Sequence, residues 1–343
     1  MGTKIAFLGA GAIGGVMGGS LSRAGHDITL IDTWPAHIEK IQSDGIKVTT
    51  VEEEFVANPT ALHIGEITST GNQYDVVFLS VKSYDTRWMS TLIEPHISPG
   101  GTIVSAQNSI NEDIIASVVG WSRTMGCVVT IGATTRGPGH VERTSSLTSK
   151  RSFTLGDPSN ADSPRIHMLT DILSDIGETG TTKNLLGERW AKIATNSMAN
   201  SVSGVTGQTS QGMRNHPVTR DLSIMIATEV VNVAKAHGVE IGAISGIPSQ
   251  MFLDAEYDEV IKTKLVTEMV ESGKKIGAGI PSLAQDLSKG RRTEIDYLNG
   301  YVIDKGREAD VPTPMNEAIL DLTKRVESGE LVPHLDNIWL IIE

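Results

Sequence analysis

The chain has 343 residues, 39% of them hydrophobic and 20% charged, and its 41 acidic against 29 basic side chains give a formal net charge of −12. That length is enough for two domains with separate cores, and the composition is that of a folded chain, not a disordered one. The acidic balance argues against nucleic acid or an anionic membrane surface as a bulk partner, while a cleft can still be locally positive.

Residues 3–8 form a short apolar run, too short and too close to a glycine for a signal segment, and no run approaches a membrane span. The expectation is therefore a cytoplasmic protein. Gly9-Ala10-Gly11-Ala12-Ile13-Gly14 follows at once. A helical stretch over residues 14–24 and a second strand over 26–31, ending in Asp32, complete the order strand, glycine turn, helix, strand, acid. In such a unit the first glycine permits the tight turn, the second lets backbone N–H groups approach a pyrophosphate, and the third lets helix and strand pack closely. The acid can accept a hydrogen bond from an adenosine ribose 2′-hydroxyl. Gly9 through Gly14 and Asp32 are thus candidate dinucleotide-binding residues. The simpler role for Asp32 or Thr33 is to cap the helix that Pro35 begins.

Residues 45–63 alternate weakly and predict short strands with a hairpin. Residues 75–81 read as a strand whose apolar run, Val76–Leu79, is that of a parallel strand covered on both faces, and Lys82 follows. Another strand over 102–106 leads into Gln107-Asn108. Ligands of open α/β sheets bind beyond the carboxyl ends of the strands, which makes Lys82 and Asn108 candidates for cofactor or substrate contact. Each also has an ordinary reading, as a solvated strand end and as a turn residue or cap before Ile110. Residues 126–134 read as one strand containing Cys127, a lone thiol that excludes an intrachain disulfide and reads as inert core. The nine histidines fall in no metal-binding spacing. A strand over 153–156 and a helix over 162–176 precede a boundary placed between a domain over residues 1–182 and one over 183–343.

Beyond the boundary the apolar spacing turns helical, and strand-like alternation almost disappears. Lys192, Asn196 and Asn200 recur at i, i+4 and i+8, so they share one helix face, and no other charge occurs before Arg214. Such a lysine either snorkels to water or is held where its charge is used. Ser282 with Gln285, and Thr293 near Asp296, have the spacing of helix starts, and on spacing alone that is the simpler reading of this cluster, with Glu294 favouring a positive helix end.

Taken together the segments resemble the ketopantoate reductase (2-dehydropantoate 2-reductase) family over essentially the whole chain. The resemblance rests on the glycine turn at 9–14, Lys82, Gln107-Asn108, Trp190-x-Lys192-x3-Asn196-x3-Asn200, Ser282-Leu283-Ala284-Gln285-Asp286, and Thr293-Glu294-Ile295-Asp296-Tyr297-x-Asn299-Gly300. It implies an α/β fold class, with an N-terminal Rossmann dinucleotide-binding domain and a mostly helical C-terminal domain for substrate and catalysis. It also implies reduction of a 2-oxo acid, ketopantoate first, with Lys192 as proton donor. Asn196, Asn200 and Ser282 match residues that hold the substrate's polar groups. Asn108 matches one that touches cofactor and substrate, and Glu294 one near the nicotinamide ribose and the substrate hydroxyl. Family members are often dimers, so a homodimer acting on a small molecule, without nucleic acid, membrane or metal, is the expectation.

Two positions depart from the family's pattern. Asp32-Thr33-Trp34 stands where well-studied members carry a basic residue for the 2′-phosphate of NADP, which predicts NAD(H) over NADP(H). Ser210 stands where the family has a further substrate-side asparagine. An NAD-linked dehydrogenase of another small hydroxy acid is therefore the main alternative to ketopantoate reduction. A non-catalytic NAD-binding redox sensor is a third.

Overall fold

The structure, a computed structural model, describes residues 2–145, 151–276 and 279–342. It divides into two compact units, Met1–Leu185 and Leu186–Glu343.

In the first unit the strands are β1 (Lys4–Leu8), β2 (Asp27–Asp32), β3 (Ile46–Thr49), β4 (Glu54–Ala57), β5 (Thr60–His63), β6 (Tyr74–Leu79), β7 (Ile97–Ser105), β8 (Thr124–Val129), β9 (Ala133–Gly137), β10 (His140–Arg143), β11 (Phe153–Gly156) and β12 (Thr179–Thr182). Between them run helices α1 (Ala12–Arg23), α2 (Pro35–Asp44), α3 (Ile67–Thr70), α4 (Thr86–Ile93), α5 (Glu112–Val119) and α6 (Pro164–Ser174). Eight strands form one sheet in the order β12-β11-β8-β7-β6-β1-β2-β5, parallel except where β11 runs against β8. Its central strands are apolar on both faces because both are covered. Ile5 and Phe7 join Val76 and Phe78 in one core, while Ala6 and Leu8 join Val77 and Leu79 in the other. Phe7 stacks on Phe78 with ring centroids 4.8 Å apart.

A second sheet, β4-β3-β10-β9, lies on the far side of α1. Glycines on both flanks of α1 let the two sheets close on it. A Cβ on Gly18 would lie 2.5 Å from Leu30 of the large sheet, and one on Gly15 would lie 2.8 Å from Val141 of the small one. The expected strand over residues 126–134 is two strands: it leaves the large sheet after Val129 and enters the small one at Ala133. Continuous apolar character cannot report a change of sheet, since both sheets bury the same residue types.

The second unit is built from α7 (Leu185–Thr206), α8 (Ser210–Asn215), α9 (Pro217–Ala236), α10 (Ser249–Asp254), α11 (Glu259–Ile276), α12 (Ser282–Ser288), α13 (Asn299–Glu308), α14 (Pro314–Glu327) and α15 (Trp339–Ile342). Among its described residues the only strands are the two-residue pair Ala243–Ile244 and Ile247–Pro248. The 22-residue α7 is fixed along its length. Trp190 is buried and meets Tyr301 of α13 at 5.6 Å between ring centroids. Near its end, Val205 O accepts the Asn337 side-chain amide at 2.9 Å.

Candidate functional site

In the first unit the chain leaves β1, turns at Gly9 and enters α1, beside the point where strand order reverses between β1 and β6. Gly9 has φ +94°, and a Cβ there would lie 2.9 Å from the backbone of Ser80 and Val81, so glycine is required on two counts. Gly14 is closer still: its Cβ would stand 1.9 Å from Gly9 O and 2.3 Å from Ser80 Oγ, the hydroxyl that donates to Gly9 O at 2.7 Å. Gly11 is the opposite case, with no atom within 4 Å of a Cβ built on it. Two glycines fill a tight turn and the third faces open space at the N-terminus of a 12-residue helix. The first-turn N–H groups of a helix have no acceptor within it, so this cradle suits a pyrophosphate.

Asp32 ends β2 and points back at the turn. Its Oδ2 accepts from Ala10 N at 2.7 Å and its Oδ1 from Trp34 N at 2.9 Å. The α2 cap position is Trp34, without a side-chain cap bond, so neither Asp32 nor Thr33 caps that helix. His37 was not legible in the sequence. It is almost wholly buried, donates from Nε2 to Ala10 O at 2.9 Å, and accepts Gly139 N–H on Nδ1 at 2.9 Å. These partners require the neutral Nε2–H tautomer, and burial holds its pKa below the ordinary imidazole range. The Ala10 peptide is therefore gripped on one side by Asp32 and on the other by His37. No spacing rule announces a histidine in that role.

Lys82 and Asn108 sit half-buried after β6 and β7, adjacent parallel strands of the large sheet. The two loops are tied together beneath them. Gln107 Nε2 donates to Val81 O at 3.1 Å and to Thr86 Oγ1 at 2.8 Å. Asn108 O accepts from Ser83 Oγ at 3.2 Å and from Asn111 Nδ2 at 2.8 Å. Helix α5 starts at Glu112 with Asn111 at the cap position, so Asn108 does not cap it.

In the second unit, α7 presents Lys192, Asn196 and Asn200 on successive turns of one face. Lys192 and Asn196 are half-buried, and Asn200 is buried. Asn200 Nδ2 lies 3.5 Å from Ser282 Oγ, a long contact that nonetheless brings α7 and α12 side chains together. Asn196 Nδ2 is buried with no hydrogen-bond partner among the described residues. Ser282 is exposed and is the first residue of α12. The cap position belongs to Pro281, without a side-chain cap bond, and Gln285 Nε2 donates to Ile280 O at 3.0 Å, so the capping-box spacing at 282–285 does not operate as one. Glu294, 6% exposed, immediately precedes the 3-10 turn Ile295–Tyr297, again without a side-chain cap bond. Ser210 is buried at the start of α8, where Arg214 Nη1 donates to its carbonyl at 3.0 Å.

Among the described residues there is no group of three or more potential metal ligands and no helix long and apolar enough to cross a membrane.

Residues 5–160 match the family model "Ketopantoate reductase PanE/ApbA", and residues 184–327 match "Ketopantoate reductase PanE/ApbA C terminal". The chain is 30% identical to a 2-dehydropantoate 2-reductase of Pyrococcus horikoshii over 328 residues, covering 95% of this chain and 98% of that one. It is 27% identical to the 2-dehydropantoate 2-reductase of Pyrococcus abyssi, covering 95% and 99%. Among solved structures, 2-dehydropantoate 2-reductase from Geobacter metallireducens superposes with a TM-score of 0.80 at 25% identity, covering 94% and 99%. A D-mandelate dehydrogenase in ternary complex with NADH and anilino(oxo)acetate superposes with a TM-score of 0.82 at 23% identity, covering 95% and 99%, which is a likeness of fold.

Proposed function

The chain belongs to the ketopantoate reductase family, an oxidoreductase acting on CH–OH groups, and from that premise we propose that it reduces 2-dehydropantoate (ketopantoate) to pantoate with Lys192 as proton donor. The observation that carries the reading is Asn196 Nδ2, a buried donor with no partner among the described residues, on the same face of α7 as Lys192 and Asn200. An unpaired buried donor costs about 1–3 kcal/mol, which an oxygen of a small polar substrate would relieve.

The residues of the turn at 9–14 fit a nicotinamide dinucleotide, with a cradle at Gly9 and Gly14 and room above Gly11. Held there, a reduced nicotinamide would supply the hydride that a 2-oxo acid's carbonyl carbon requires. The chain's own work is electrostatic and protonic. Negative charge develops on the carbonyl oxygen, and the Lys192 ammonium stabilises it and then gives it a proton, so the product is the alcohol. Asn196, Asn200 and Ser282 hold the carboxylate and hydroxyl of the substrate through neutral groups, which adds no charge to compete with Lys192. In the first unit Lys82 and Asn108, at the strand ends, are proposed contacts, and in the second Glu294, in the turn before α13, is another.

We infer NAD(H) as the preferred cofactor. Supporting this, the Asp32 carboxylate is fixed at the end of β2 by two backbone donors, where a 2′-phosphate would meet like charge. The second reading, oxidation of another small hydroxy acid by an NAD-linked enzyme, is favoured by the same Asp32 and by Ser210. Steady-state turnover of ketopantoate against a panel of 2-oxo acids, each with NADH and NADPH, separates the readings. A kcat/KM for ketopantoate at least tenfold above the rest is expected, and a better 2-oxo acid would refute the substrate. A homodimer remains the proposed assembly, checked by light scattering.

A further inference from the structure

The segment carrying Glu294 has little regular structure of its own. Its closing acceptor is Glu294 O, which takes Tyr297 N–H at 2.9 Å and Leu298 N–H at 3.1 Å. One helix, α14, holds it from three points. The Glu327 carboxylate accepts Thr293 N–H, Lys324 Nζ donates to Asp296 Oδ2 at 2.6 Å, and Asn316 Oδ1 accepts from Asn299 Nδ2 at 2.9 Å.

The first turn of α14 is itself anchored from α9. Glu229 accepts the backbone N–H groups of Met315 and Asn316 at 2.8 and 2.9 Å, and the Asn316 side-chain amide at 2.7 Å. Thr313 at the cap position makes no side-chain cap bond, so a carboxylate from another helix satisfies these N-terminal donors. A continuous hydrogen-bonded chain thus runs from Glu229 through Asn316 to Asn299, five residues beyond Glu294.

Asn299 and Asn316 are both fully buried. Asn299 Oδ1 is also buried, with no partner among the described residues. An unpaired buried carbonyl costs about as much as one neutral hydrogen bond contributes. Stability therefore does not account for the Asn299 amide. What its single bond accomplishes is geometric: it sets where the 293–299 segment lies against α14.

We propose that Glu229, Asn316 and Asn299 are positioning residues that fix the placement of the Glu294 carboxylate for the reaction, an inference that rests on Glu294 being a site residue. The test compares Asn299→Leu, Glu294→Gln and the double variant by kcat with ketopantoate and NADH or NADPH, alongside melting temperature and NADH affinity. Asn316→Ala serves as a second variant, breaking the chain from the other side while leaving Glu229 its two backbone donors. Expected is a roughly 10- to 100-fold loss of kcat in Asn299→Leu and in Asn316→Ala, the scale of a displaced catalytic group. Any change in NADH affinity should be no larger than in Glu294→Gln, and Asn299→Leu should cost nothing further in the Glu294→Gln background, because both act through one carboxylate. Wild-type kcat in Asn299→Leu while Glu294→Gln is impaired would overturn the positioning role alone, as would losses that multiply in the double variant. Full turnover in Glu294→Gln would remove the reading of Glu294, and this inference with it.

Discussion

Gly14→Ala and Gly11→Ala are the same chemical change three residues apart, and the structure assigns them different consequences. At Gly14 the new methyl would lie 1.9 Å from Gly9 O, a backbone atom with no rotamer to change. Restoring ordinary contact near 3.4 Å requires the turn and α1 to separate by about 1.5 Å, and α1 is wedged between two sheets. Overpacking of this severity costs about 3 kcal/mol, offset by about 1 kcal/mol from removing a helical glycine. The net, about 2 kcal/mol, corresponds to a melting temperature lower by roughly 4–8 °C for a unit of this size. The same displacement carries the turn's N–H groups beyond hydrogen-bond range of a ligand, so NADH affinity should fall as well. Gly11→Ala meets nothing within 4 Å, so its melting temperature should be unchanged while a methyl enters the space assigned to the pyrophosphate. Thermal melts and fluorescence titration with NADH on the two variants decide the matter. Undiminished NADH affinity in Gly11→Ala would refute the placement of the pyrophosphate over that residue.

Lys192→Ala should lower kcat by about 10²–10⁴-fold with NADH affinity little changed; near-normal turnover at saturation would return Lys192 to a solvated role. Asp32→Asn removes a charge while keeping an acceptor for one of its two backbone donors, and any loss of loop geometry penalises both cofactors alike. The NADPH/NADH ratio of kcat/KM should therefore rise about tenfold, the effect of a screened repulsion near 1–2 kcal/mol, and an unchanged ratio would clear Asp32 of the preference. Ser282→Ala should raise KM without moving the melting temperature, since Ser282 makes no cap bond in α12; a melt lower by about 1 kcal/mol of stability at constant KM would restore the capping role. Finally, burial disfavours charge on His37 in the folded state, so between its lowered pKa and the ordinary value near 6.5 the unfolded chain binds the extra proton. Stability should fall as pH drops below about 6.5, and the slope should be shallower in His37→Asn when the two melting series are compared from pH 5 to 8.

The large sheet was legible because both its faces are covered, which leaves strands within 75–81 and 102–106 that are apolar on both faces, as at Val76–Leu79 and Ile103–Val104. The glycine turn was legible for a different reason: backbone approach leaves no alternative residue at Gly9 or Gly14. What escaped depends on contacts made far along the chain. Strand β10 and the part of β9 beyond Thr134 gave no strand signal, because β10 buries only Val141 among its apolar residues, too few positions for a clear alternation. Ser282 matched a cap motif because spacing records which residues lie three apart, not where the helix begins, and Pro281 takes the cap position instead. His37 gave no signal, since its partners, the Ala10 carbonyl and the Gly139 amide, are backbone groups and backbone groups have no letter in a sequence.

The wedge of α1 between two sheets also sets an order of events during synthesis. The flank of α1 that carries Gly15 and Gly19 is covered by Val48 on β3 and Val141 on β10. Strand β10 pairs in parallel with β3, so the small sheet cannot close until residue 143 has been made. At about 5–20 residues per second, a ribosome takes roughly 6–25 s to travel from Gly15 to Val141. Until then the Gly15 flank lacks its Val141 contact, while β3, which brings Val48 to Gly19, is made well before. Assembly of the dinucleotide turn is therefore governed by non-local pairing, the slow class of folding contact, whereas the helices of the second unit form largely from neighbours in sequence.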